Sequence, residues 1–150
     1  MKKLLLATLL AFSTTADARL SSWSVDRECI ASSTIDWSQT NSGTILLTYD
    51  VGGHSINIGV QNRDFGFDKK FTGPVLLDIG GYETPAQAHG FNQTQLLVFQ
   101  IPYNRLMESY LIKAKSIKVY AQQKHFLSLE LTDVDLALEN IYTCYGARKA

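Results

Sequence analysis

The sequence is short of most features that announce a chemistry. It has two cysteines in 150 residues, too few for a cysteine-built zinc site, which takes about four ligands at tight spacing. Neither cysteine sits in a local nucleophile signature. The three histidines, His54, His89 and His125, are far apart, so no H-x-x-x-H ligand pair exists. "GGHS" near Asp50 lacks the G-x-S-x-G elbow of a serine nucleophile. Gly52-Gly53 and Gly80-Gly81 are not followed by a helix start that would hold a phosphate. Charge is balanced, at 14 basic and 14 acidic residues. That argues against a nucleic-acid binder, which needs a basic stripe, and against electrostatic attachment to a membrane. No catalytic residue, metal ligand or cofactor is expected.

What is present begins with an export signal. Lys2 and Lys3 precede the apolar run "LLLATLLAF" (residues 4–12), and Ala16-Asp17-Ala18 fits the A-x-A cleavage pattern. The run is too short to cross a bilayer. Residues 1–18 therefore read as a signal peptide, and residues 19–150 as a single exported α+β domain large enough to bury its own core. The simple charged start fits general secretion in a Gram-negative bacterium, hence a periplasmic or secreted protein. Without Lys2, Lys3 and Asp17 the mature chain keeps 12 basic and 13 acidic residues. No later run is apolar enough for a membrane span.

An oxidising compartment pairs cysteines, and Cys29 and Cys144 are the only two available. Cys144 falls on the apolar stripe of a C-terminal helix, where Val134, Ala137, Leu138, Ile141, Cys144 and Tyr145 recur at i, i+3 and i+4. Thr132 is the expected N-cap, with Asp135 three residues on, and Gly146 the expected stop. Cys29 follows the first expected strand, "WSVDRE" (residues 23–28). A Cys29–Cys144 disulfide would staple the last helix to the first strand.

Between them lie several strand patterns. "TILLTYDV" (44–51) and "SINIGVQ" (55–61) form a hairpin over Gly52-Gly53. "PVLLDIG" (74–80) and "TQLLVFQI" (94–101) are further strands. "SIKVYAQ" (116–122) and "FLSLELT" (126–132) form a second hairpin around Gln123-Lys124. Residues 30–41 read as polar and turn-rich, and residues 81–93 as a long loop. A short helix is expected over 103–113, with Pro102 in its first turn. The expected fold is α+β: a mainly antiparallel sheet, sandwich-like, with two short helices, the C-terminal one packed on the sheet.

The order Trp-x-Val, Cys29, a strand hairpin, Asn62-x-Asp64-Phe65, a strand ending in Asp78-x-Gly80, "IKVY" and "FLSLELTDVDLALENIYTC" resembles a loose pattern of small secreted proteins of Gram-negative bacteria. The closing block, residues 115–145, is similar to the end of the invasion-associated locus B family, where a strand with an "SL" core leads into an Ala-Leu-rich final helix. That family's closely spaced internal cysteines are absent here. The resemblance implies a secreted protein rather than a reaction.

Two segments stand out for contact. "RDFGFDKKF" (63–71) interleaves Arg63, Lys69 and Lys70 with Phe65, Phe67 and Phe71, and arginine and aromatic residues are favoured at binding hot spots. The expected loop 81–93 carries Tyr82, His89 and Phe91, and loops of that length are commonly functional. Arg63, Phe65, Phe67, Tyr82, His89 and Phe91 are the expected contact residues of a non-catalytic binding module for a protein or envelope component: an inhibitor, an immunity-type protein or a host-interaction factor. The alternative is a small hydrolase using loop carboxylates (Asp64, Asp68, Asp78, Glu83) or a histidine, which requires such groups to converge in a cleft.

Overall fold

The computed structural model of the protein describes residues 17–20, 23–38 and 41–149. Among these, ten strands form in chain order: β1 (Asp17–Leu20), β2 (Ser24–Val25), β3 (Ala31–Ser38), β4 (Asn41–Asp50), β5 (Ser55–Gln61), β6 (Phe71–Ile79), β7 (Tyr82–Phe91), β8 (Leu96–Pro102), β9 (Ser116–Ala121) and β10 (Lys124–Glu130). Two α-helices follow β8 and β10, α1 (Arg105–Lys113) and α2 (Val134–Lys149), and a 3₁₀ turn spans Arg63–Phe65.

Strand character comes from period-two burial. In β6, Phe71, Gly73, Val75, Leu77 and Ile79 face in while the residues between them face out. The same parity puts Ile45 and Leu47 of β4, Ile56, Ile58 and Val60 of β5, and Leu97, Phe99 and Ile101 of β8 into one buried cluster. Ten strands make a single sheet in the order β1-β10-β9-β6-β7-β8-β5-β4-β3-β2, and β1 pairs a second time with β3. The sheet thus closes on itself through β1, antiparallel everywhere except at β1–β10. The α+β, mainly antiparallel expectation holds, with one wrapped sheet in place of a sandwich.

Several local expectations are corrected. Residues 31–38 are not turn-rich coil but β3, because Ala31, Ser33 and Ile35 face the core while the strand pairs with β4. Residues 82–91 are not a loop but β7. Pro85 and Gly90 hide it in the sequence, yet it pairs with β6 along its whole length, and pairing overrides weak strand propensity. The first strand shrinks to Ser24–Val25. Pro102 ends β8, and α1 starts later, capped by Asn104, whose side chain accepts from Met107 N at 2.7 Å. α2 starts at Val134, after Asp133 at φ 56°. The Thr132 carbonyl instead accepts from Trp23 Nε1 at 2.8 Å. Gly146 does not stop α2, which runs to Lys149. Residues 1–16 of the expected signal lie outside the described residues. Asp17 and Ala18 open β1, where they pair with β10, while Arg19 and Leu20 pair with β3.

The wrapped sheet has two ends. At the helical end, Met107 and Leu111 of α1 and Val134, Ala137, Leu138 and Ile141 of α2 join the strand core. The predicted α2 stripe is therefore the buried one. Tyr49 sits at this end with Tyr103, Tyr142 and Tyr145 edge-on around it, ring centroids 5.4, 5.6 and 6.5 Å away. Tyr145 donates to the Tyr49 carbonyl at 2.7 Å, and Tyr142 donates to Glu108 Oε2 of α1 at 2.6 Å.

The Cys29–Cys144 disulfide closes the same end, with Cα atoms 5.6 Å apart across 115 residues of sequence. Cys29 ends a three-residue turn: Asp26 N donates to Ile30 O, Cys29 N to Asp26 O, and Asp26 Oδ1 accepts from Glu28 N and Ile30 N. Cys29 takes the left-handed position of this turn at φ 61°, where glycine is usual. A non-glycine residue there costs about 1–2 kcal/mol, and the disulfide anchors it.

Two outcomes are expected. Replacing both cysteines by serine lowers unfolding free energy by about 2–5 kcal/mol in urea titrations. Burial, then the bond to Glu108, raises the Tyr142 pKa above its ordinary 10.0. The folded state then holds the phenol proton after the unfolded state has lost it. Stability is therefore unaffected below 10.0 and falls as pH rises beyond it. Tyr142→Phe flattens this alkaline decline in urea midpoints measured from neutral pH upward, and an unchanged slope would refute the assignment.

Candidate functional site

The opposite end is built by the link from β5 to β6 and the turn from β7 to β8. Asn62 caps the 3₁₀ turn, its side chain accepting from Asp64 N at 2.9 Å, and Gly66 ends it in the left-handed region at φ 72°. Phe65 is thereby turned inward, with only 6% of its surface exposed. It stacks on Phe67 at 5.1 Å, and Phe67 meets Phe71 edge-on at 5.0 Å. The three rings plug this mouth of the sheet. Phe71 fits because position 90 is glycine: a Cβ built there would overlap the ring.

Gln95 ties the plug to the turn. Its backbone is left-handed, φ 52°, which aims the side chain at the Phe67 peptide. Oε1 accepts from Phe67 N at 2.8 Å, and Nε2 donates to Phe67 O at 2.9 Å and to Asn92 O at 2.6 Å. Asn62 N donates to Gln95 O at 3.1 Å, and Gln61 Nε2 to Thr94 O at 2.8 Å. Two chain segments that are polar in sequence, 61–64 and 93–95, are thus locked side by side.

Between them and the start of β4 lies a cleft of about 910 Å³. Its walls are the amides of Gln61, Asn62 and Gln93 and the hydroxyls of Thr34, Thr44 and Thr94, with Arg63 and Asp64 as its charged residues. Such a lining donates and accepts hydrogen bonds in equal measure. Arg63 is exposed and offers a planar fork of donors suited to a carboxylate.

The expected contact residues divide. Arg63, Phe65, Phe67, His89 and Phe91 all lie at this end. Phe65 is core, and Phe67 is half-buried. Phe91 is 37% exposed and faces out, with Lys70 Nζ 5.8 Å from its ring centre. His89 also faces out from β7, its Nδ1 3.2 Å from Thr72 Oγ1. Tyr82 does not join them. It sits at the other end of β7, about 30 Å away at strand rise, stacked on Tyr110 of α1 at 5.2 Å. The amides and threonines of the cleft were not foreseen, although "QNRD" and "NQTQ" are both rich in amides.

The groups considered for hydrolysis lie at several places, with Asp64 at the Arg63 cleft. His54 is in the β4–β5 link, where it takes the positive φ of 49° that the neighbouring glycines do not. His125 is on β10, with Nε2 2.6 Å from Ser128 Oγ. Asp78 and Glu83 are direct partners across β6–β7, and Asp78 Oδ1 accepts from Gly81 N at 2.8 Å, supporting the turn. Among the described residues no three His, Cys, Asp or Glu side chains gather as a metal site would require, and no helix is long and apolar enough to cross a membrane.

Comparison of the chain with family models, curated proteins and solved structures finds no match.

Gly90→Ala is expected to lower stability by about 1–3 kcal/mol through overpacking. Adding Phe71→Leu should restore part of the loss in urea titrations. Equal losses in the single and double variants would mean that ring and glycine are not coupled.

Proposed function

We propose that the protein is an exported, non-catalytic binding module that holds a protein or envelope component at the end of the sheet bearing Arg63. The observation that carries this reading is the open polar cleft, with Arg63 at its charged edge and Phe91 exposed on the strand that feeds its wall. A rigid scaffold supports both. Phe91 stands on a strand paired on each side, and Arg63 is held in a 3₁₀ turn capped by Asn62. Fixed arginine and aromatic groups bind at low entropic cost. The disulfide fits an oxidising compartment, which suits export to the periplasm or beyond.

The test is retention from envelope extract on immobilised, oxidised protein that begins at Asp17 and so keeps the residues of β1 that pair with β10. Arg63→Ala/Phe91→Ala is the matched variant, because both side chains are exposed and their loss leaves the plug intact. A component held by the parent and lost by the folded variant is the expected result. A component held equally by both moves the contact elsewhere, and no retention by either overturns the binding reading.

A further inference from the structure

All three prolines of the chain, Pro74, Pro85 and Pro102, line a second groove, of about 380 Å³, on the outer wall of the sheet towards the helical end. The strand register explains their positions. Gly80 and Gly81, both at positive φ, form a two-residue loop between β6 and β7. Such a loop makes the flanking pair Ile79–Tyr82 exchange both backbone bonds. Counting along the ladder, Pro74 then points its backbone towards β9, and Pro85 points towards β8. β9 pairs with β6 from Leu76 onward, so Pro74 breaks no bond.

On the other side, β8 pairs with β7 as far as Gln87 opposite Gln100. Two residues further, Pro85 would stand opposite Pro102, and neither has an N–H to give. The ladder ends there, the strands part, and the groove opens at the fork. Gln87 and Gln100 are exposed at its last closed rung. Ser55 faces Pro102 across β5–β8. It is only 2% exposed, and its hydroxyl has no hydrogen-bond partner among the described residues, an arrangement that costs free energy in the empty protein. Among the described residues no Asp, Glu, Lys or Arg lines the groove, and His54 is the one titratable side chain in its lining.

We propose that this groove binds an extended, uncharged peptide segment, with its backbone on Gln87 and Gln100 and a side chain against the proline rings. A primary amide carries an acceptor oxygen and two donor hydrogens, which match the C=O and N–H of a peptide group. A charged ligand would lose hydration here, and the described lining offers no carboxylate, ammonium or guanidinium to replace it. A sugar ring would find no Trp, Tyr or Phe to stack on among the lining residues. The volume sits at the lower end of the roughly 300–1,000 Å³ typical of ligand pockets, which suits a short segment. The site shares no residue with the Arg63 cleft and stands independently of the function proposed for it.

The experiment is an NMR titration of the isotope-labelled, oxidised protein with the blocked tripeptide acetyl-Ala-Phe-Ala-amide. Shifts are expected at the side-chain amides of Gln87 and Gln100 and at the backbone of His54 and Ser55. Gln100→Ala should weaken binding about tenfold, the loss of one or two hydrogen bonds. Ser55→Ala should raise the thermal midpoint of the free protein by about 2–4 °C while weakening the peptide. No shift at these groups with millimolar peptide overturns the proposal. So do shifts unchanged by Gln87→Ala/Gln100→Ala, or shifts produced by a neutral trisaccharide and not by the peptide. Shifts confined to Arg63 and its neighbours would overturn the groove and leave the cleft reading in place.

Discussion

The structure depends on one constraint: an antiparallel register kept unbroken from β4 through β5, β8 and β7 to β6. Because successive side chains alternate in direction, a slip of one residue in any of these pairs would turn a whole apolar row outward. The single buried cluster exists only while all rows face in together. Closing the sheet through β1 lets one interior serve every strand, so no second sheet is needed.

With the walls fixed in this way, everything irregular happens at the ends or where the ladder fails. The helical end is sealed twice. α1 and α2 bury their apolar stripes there, and Tyr49 gathers three rings from the segments that close it. The disulfide then ties the last helix to the turn before β3. Among the described residues the other end has no α-helix. Three phenylalanines do the same work, and Gln95 holds the backbone of Phe67 by the bonds a neighbouring strand would otherwise supply.

The two candidate binding surfaces follow from these two ways of interrupting a sheet. The Arg63 cleft forms where strands end and polar turns must satisfy their own backbone groups, so it is rich in amides and hydroxyls. The proline groove forms inside the wall, where paired residues without an N–H stop a ladder that would otherwise continue. Arg63 and Asp64 line one surface, while the described lining of the other has no Asp, Glu, Lys or Arg. They call for different ligands, and neither needs the other.

Local chemistry was enough to determine part of this protein. The period-two rows of β5 and β6, the apolar stripe of α2 and the pairing of Cys29 with Cys144 follow from residue spacing and from there being only two cysteines to pair. They were legible because each is set by neighbours within a few positions, or by elimination. The aromatic run at 63–71 was also visible, but its division was not: Phe65 went to the core and Arg63 to the surface because a 3₁₀ turn rotated one away from the other. β3 and β7 were hidden, since serine, proline and glycine look like turn residues until strands on either side impose pairing. The gathering of Pro74, Pro85 and Pro102 was decided by strand order and register, and the separation of Tyr82 from Phe91 by the extension of residues 82–91 into one strand. Residues distant in sequence become neighbours only through the hydrogen-bonded register of the whole sheet, and no local pattern encodes that register.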